Sequence, residues 1–221
     1  METKWLTTSP KAKGTIGLMW GPLEQSFKRD YLAMMEFSRR YICGPNEYLK
    51  EVDGSVSWHP IGRNEIVEKS EGEWLLMLDT DHRFQPDLLI RLLNEMELSG
   101  AEVVSGLYLN KHKASGHAPV ALVSDERGGL VNLSSWPRGT RHLKVACVGG
   151  GCLLIKRSVF RKLQKHYNDK PFDLVGNLSE DYSFCKKCTD IGIDIVLCPQ
   201  VESHHCVPHV LSARDFNFEK G

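Results

Sequence analysis

Residues 74–84 read WLLMLDTDHRF: five apolar residues in a row, then two aspartates one residue apart. An apolar run of this length without polar alternation suits a strand buried on both faces, as in a parallel sheet covered by helices. Asp79 and Asp81 then fall at its carboxyl end, where open α/β sheets bind their ligands. Two carboxylates this close repel each other unless a cation or a shared proton relieves them. Hard cations such as Mg2+ and Mn2+ prefer carboxylate oxygens and bridge to substrate phosphates. The competing structural reading makes Asp79 a cap for the next helix.

Upstream of this strand, GTIGLMWG (14–21) predicts a second buried strand, and 23–41 a helix with Phe27, Tyr31, Met34 and Met35 on one face. GSVSWHP (54–60) reads as a strand stopped by proline, and GRNEIVEKSEGEW, from residue 62, as a helix ending near Gly72. Downstream, Pro86 suits a first helical position, with Leu89, Leu92, Leu93 and Met96 on the face behind it. AEVVSGLYL (101–109) is a further strand. Alternating strand and helix predict a doubly wound, mainly parallel α/β sheet.

The pattern then changes. Residues 110–142 are rich in Gly, His, Ser and Arg, with strand-like pieces PVALV and GLVNLS, and predict a small antiparallel or loop insertion. LKVACVGGGCLLIKRSVF (143–160) predicts a strand, a glycine loop, another strand and the start of a helix. SEDYSFCKKCTDIG (179–192) predicts a helix capped by Ser179, followed by the buried strand IDIVLCP, and 207–221 is a polar tail.

Composition sets bounds on function. The 221 residues suffice for one good-sized core, so a single domain over 1–221 is expected. Lysine plus arginine equals aspartate plus glutamate, at 28 each, so no overall field draws the chain to nucleic acid or membrane. Seven scattered cysteines suit reduced thiols, and no run of 18 apolar residues or apolar leader segment occurs. These features predict a soluble, cytoplasmic protein with no membrane partner.

Four further constellations could carry chemistry. In SEDYS (179–183), Glu180 and Asp181 sit in the first turn of the predicted helix, where the dipole favours negative charge and a carboxylate base stays ionised. ESHHCVPH supplies His204, His205 and His209 after a buried strand, near the edge that carries Asp81. Cys185, Cys188, Cys198 and Cys206 with these histidines could instead make a structural zinc site, although Cys185 and Cys188 fall with Phe184 on the helix's inner face. VGGGCLLI (148–155) lacks the Gly-Lys-Ser/Thr of a phosphate loop, and its glycines suit a tight turn or the close approach of a ligand.

Taken in order, these segments resemble the GT-A glycosyltransferases, in particular soluble family-2-like members of bacteria and their phages. The likeness runs over about residues 14–206: GRN (62–64) resembles the family's Ala-Arg-Asn segment, LDTDHRF its Asp-x-Asp motif, and VGGGCLLIKRSVF its acceptor-side glycine region. GLYLNKH…APVAL resembles its middle segment, and SEDYSFCKKC…VESHH its terminal helix, strand and metal histidine. Ser179 departs from the family, which commonly has glycine there. The resemblance implies a GT-A (Rossmann-like) fold, with a nucleotide-sugar half over 14–109 and an acceptor half over 110–206.

It also implies a metal-dependent, inverting transfer of a sugar from a nucleotide-diphosphate sugar, UDP-linked, to an acceptor hydroxyl. Ile16, Leu18, Trp20, Arg63, Asp79, Thr80, Asp81 and Gly150 would bind the donor, and Asp79, Asp81 and His205 would hold Mn2+ or Mg2+. The spacing from Val201 favours His205 over His204. Asp181 would act as the base and Glu180 would orient the acceptor. A phage origin would make a hydroxymethylated DNA base one acceptor, in the host cytoplasm, with Lys111, Lys113, Arg138 and Arg141 touching its backbone; a protein or a glycan fits equally. The rival enzyme is a haloacid-dehalogenase-like phosphatase, which starts its chemistry at the same kind of strand tip but places it near the start of its fold. The non-enzymatic rival is the zinc-stabilised binding module.

Overall fold

The computed structural model describes residues 9–19, 25–55, 58–111 and 117–206. Seven strands form the main sheet in the order β2-β1-β3-β10-β5-β11-β8. They are β1 (Lys11–Met19), β2 (Glu47–Asp53), β3 (Trp74–Asp79), β5 (Val103–Leu107), β8 (Leu143–Val145), β10 (Cys152–Lys156) and β11 (Ile195–Glu202). β1 runs parallel to β2 and β3, and β5 to β11, while β10 opposes both of its neighbours and β8 opposes β11. The sheet is therefore mainly parallel, and β10, from the sequence's second half, is inserted between two strands of its first.

Among the described residues, five helices cover it: α1 (Gln25–Ile42), α2 (His59–Lys69), α3 (Leu88–Ser99), α4 (Arg157–His166) and α5 (Glu180–Asp190). The apolar run of β3 is explained by this double cover. Leu75 and Met77 pack toward α2, α4 and α5 with Ile66, Val159 and Phe184, whereas Leu76 and Leu78 pack toward α1 and α3 with Phe27, Met34 and Leu89. Alternate side chains enter opposite cores, so polar residues have no place before the strand ends. Cys185 and Cys188 lie with Phe184 in the first of these cores, fully buried, as small hydrophobes.

The insertion is antiparallel, as expected. β6 (Ala121–Ser124) pairs with β7 (Leu130–Asn132) and with β9 (Cys147–Val148). A last pairing matters most for the site: β4 (His82–Arg83) lies antiparallel to β12 (His204–His205), with His82 opposite His205.

Two sequence expectations are corrected. No strand occupies 54–60 among the described residues; the strand is β2, just upstream, and Pro60 lies in the first turn of α2. A proline preset for the helical start favours that position over a strand end. Ser179 stands at the N-cap of α5 but its side chain makes no capping bond, because its hydroxyl donates to the Asp181 carboxylate instead.

Candidate active site

The strand-end aspartates have different surroundings. Asp79 Oδ1 accepts from Arg63 Nη2 at 3.1 Å, and the same guanidinium donates through Nε to Glu180 Oε1 at 3.1 Å and through Nη1 to the Gly150 carbonyl at 3.1 Å. Arg63, on α2, is almost wholly buried. Burial alone would pull its pKa down, but Asp79, Glu180 and Asp181 outweigh that and hold it above its ordinary value. Arg63 therefore ties β3, the glycine loop and α5 together beneath the site. The neighbouring Asn64 fastens the following segment, donating to Asp173 Oδ1 at 2.8 Å and accepting from the Phe172 N–H at 3.0 Å.

Asp81 faces histidines and a lysine. Its Oδ2 lies 2.8 Å from Lys111 Nζ and 3.2 Å from His205 Nε2, and its Oδ1 lies 3.9 Å from His82 Nε2. Burial opposes ionisation, yet the contacts with His205 and Lys111 hold the carboxyl well below its ordinary range. His82 is the residue that sequence reasoning missed. It is fully buried, its Nδ1 lies 2.8 Å from Ser203 Oγ, and its Nε2 is buried without a hydrogen-bond partner. Burial first, and His205 next, lower its pKa to about 4, so the ring is neutral near pH 7 and keeps a lone pair.

His205 adds a tautomer argument. Its Nδ1 lies 3.1 Å from the Leu109 carbonyl, which can only accept, so that nitrogen carries a proton. Nε2 is then the ring nitrogen that faces Asp81, and the donor atoms of Asp81, His82 and His205 all lie within 4.8 Å of one another, close enough to share one cation. Oxygen and imidazole donors suit Mn2+, and the orphaned Nε2 of His82 completes the fit. His204, on the other face of β12, turns away to Glu202 at 2.9 Å.

A second such cluster joins Glu95, His142 and Cys198, but both Glu95 oxygens are already taken, by Arg141 at 2.7 and 2.8 Å and by His142 at 2.7 Å. No cluster among the described residues includes Cys185, Cys188 or Cys206, which leaves the zinc module without support there.

The glycine loop between β9 and β10 carries the contacts across. Gly150 N–H donates to Asp181 Oδ2 at 3.2 Å, and the Gly151 carbonyl accepts from Asp79 N–H at 3.0 Å. Here glycine is required by close approach. A Cβ on Gly150 would stand 2.5 Å from Arg63 Cζ, and one on Gly151 would stand 2.7 Å from His82 Nε2. The approaching groups are thus side chains of the site itself. Gly150→Ala should displace the anchored guanidinium and cost about 1–3 kcal/mol of stability, the usual scale of core overpacking. Urea unfolding checks this, and an unchanged midpoint would contradict it.

Asp181, at the first turn of α5, is half-buried. Burial first, and Glu180 next, raise its pKa above the ordinary aspartate value, which makes it a stronger base. Glu180 is buried against Arg63. Thr80 is buried, with its N–H donating to the Met19 carbonyl at 3.3 Å. Ile16 and Leu18 have buried side chains in the core shared with α1 and α3, so any donor contact there belongs to backbone. Trp20 and Lys113 lie outside the described residues.

Residues 56–164 match the family model described as Glycosyl transferase family 2. The chain is a family-2-like glycosyltransferase. None of the curated proteins matches its sequence. Among solved structures, the glycosyltransferase is similar to A197 from STIV, at 16% identity and a TM-score of 0.52 over 87% of this chain and 85% of that one. It is also similar to GalNAc-T7, solved with UDP, GalNAc and Mn2+, at 14% identity and a TM-score of 0.58. That likeness covers 90% of this chain but 44% of GalNAc-T7. At these identities the likeness shows a common fold, the GT-A arrangement expected from the sequence. The family match sets aside the phosphatase and the non-catalytic module. Among the described residues, no helix is long and apolar enough to cross a membrane.

Proposed function

We propose that this glycosyltransferase moves a sugar from a UDP-linked donor to an acceptor hydroxyl in one inverting displacement, as a single catalytic unit whose two sequence halves share the main sheet. One observation carries the reading: consecutive residues of one loop, Gly150 and Gly151, bond to Asp181 and Asp79, so the base and the donor-side strand tip form one rigid assembly. The UDP and Mn2+ held by GalNAc-T7 support this choice of donor and ion.

Asp81, His82 and His205 would hold Mn2+ or Mg2+, which when bound supplies charge neutralisation to the leaving diphosphate. Asp79, expected from the resemblance to share in this, is engaged by Arg63 and suits the donor's ribose hydroxyls. Asp181 takes the proton of the acceptor hydroxyl as its oxygen attacks the anomeric carbon. The bond from that carbon to the diphosphate breaks on the opposite side, and the nucleoside diphosphate leaves with the electron pair. Glu180, fixed by Arg63, holds the N-terminus of α5 in place. The acceptor is an alcohol, and a protein, a glycan or a hydroxymethylated DNA base supplies one. The DNA reading loses two of its cations, because Lys111 is paired with Asp81 and Arg141 with Glu95; Arg138 remains exposed.

The two neighbouring histidines test the site. His205→Ala should weaken Mn2+-assisted UDP binding at least about ten-fold, and His204→Ala should change it little, because alternate residues of an extended segment face opposite ways. Calorimetric titration of UDP with Mn2+ present reads both. Equal losses, or a larger loss at His204, would overturn the assignment.

A further inference from the structure

Lys111 is a cation already seated on the candidate metal ligand. Its ammonium lies 2.8 Å from Asp81 Oδ2, the oxygen that also faces His205 Nε2 at 3.2 Å. The backbone places it there: Leu109 bridges Pro119, Asn110 N–H donates to the Ala118 carbonyl at 2.9 Å, and the Leu109 carbonyl accepts a hydrogen bond from His205 Nδ1. Lys111 is thus the first residue beyond a short antiparallel ladder, held against the histidine strand, with its side chain 43% exposed toward solvent. A divalent ion bound to the same carboxylate oxygen would stand within a few ångströms of the ammonium. Two cations at that distance repel strongly in a half-buried site. Ammonium and metal are therefore alternatives on Asp81.

We propose that Lys111 is a resident cation that neutralises Asp81 until a divalent ion displaces it, and that the released ammonium then pairs with the donor diphosphate. The inference rests on the metal reading of Asp81, His82 and His205. Chemically the exchange suits the task. The ammonium keeps a half-buried carboxylate compensated between turnovers, and a donor arriving with its metal recruits the freed charge to the group that must leave. A long flexible stem and a partly exposed position allow the reach without a change in the sheet.

The test uses Lys111→Met, which keeps the stem and removes the charge, and Lys111→Arg, which keeps the charge. Two affinities are measured by calorimetry: Mn2+ for the nucleotide-free protein, and UDP at saturating Mn2+. The expected result for Lys111→Met is Mn2+ binding about ten-fold tighter and UDP binding about ten-fold weaker, within the usual range of coupling between linked sites. Lys111→Arg should keep UDP affinity near that of the natural protein. Unchanged Mn2+ affinity in Lys111→Met would overturn the exchange while leaving the metal site standing. Tighter Mn2+ with unchanged UDP affinity would overturn the transfer of the ammonium to the diphosphate. Absence of Mn2+ binding in both the natural protein and Lys111→Met would overturn the exchange together with the metal reading.

Discussion

Asp181→Asn should lower sugar transfer by about 10²–10⁴-fold while leaving donor affinity nearly unchanged. The amide cannot take the acceptor's proton, whereas its shape preserves most of the local packing. Donor affinity is spared because Asp79 and Asp81 lie at the end of β3 and in the turn that follows it, away from α5. The competing role is purely structural. Asp181 sits in the first turn of α5, where a negative charge is worth about 0.3–1 kcal/mol, and its Oδ1 accepts from Tyr182 N–H at 2.8 Å. If that were all, the variant would melt slightly earlier and transfer at close to the natural rate. Transfer rate, UDP affinity and thermal melt measured on one preparation separate the two, and near-natural transfer would remove Asp181 from the chemistry.

Arg63→Met should destabilise the fold by about 3–5 kcal/mol, because it leaves the buried Glu180 carboxylate and the half-buried Asp79 carboxylate without their cation. For a chain of this size that corresponds to a fall in melting temperature of roughly 6–20 °C. Arg63→Lys should recover only part of the loss, since an ammonium cannot serve Asp79, Glu180 and the Gly150 carbonyl with the geometry of a guanidinium fork. Adding Glu180→Gln to Arg63→Met should restore some stability by removing one uncompensated charge. A melting temperature within about 2 °C of the natural protein would contradict the anchoring role of Arg63.

Much of this architecture is legible in the sequence because burial leaves a mark there. The β3 run is apolar throughout because both faces are covered, so the strand and the aspartates at its tip stand out. β2 left no such mark. It is an edge strand whose buried residues, Leu49 and Val52, break the two-residue alternation, amid glutamate, lysine and aspartate. The Val56-Ser57-Trp58 segment drew the strand assignment instead, through β-favouring residue types.

The site shows the same division. Asp79, Asp81 and His205 are recognisable by their place at strand ends. His82 directly follows the second aspartate and was passed over, and its position opposite His205 is a pairing that local sequence does not encode. Arg63 was read as a donor contact, but its partners Asp79, Gly150 and Glu180 lie 16, 87 and 117 residues away. Only the folded chain brings them together, and it turns a surface-type residue into a buried anchor.

The most direct measurement is release of UDP from a panel of UDP-sugars, with Mn2+ or with EDTA, by the natural protein and by Asp81→Ala. The expected result is release from at least one sugar that requires the metal, stops with EDTA and is abolished in Asp81→Ala, whose melting temperature stays close to natural because the side chain lies at a strand tip outside both cores. Release that continues undiminished in EDTA, or in Asp81→Ala with Mn2+ present, would contradict a metal-assisted donor site at Asp81, His82 and His205.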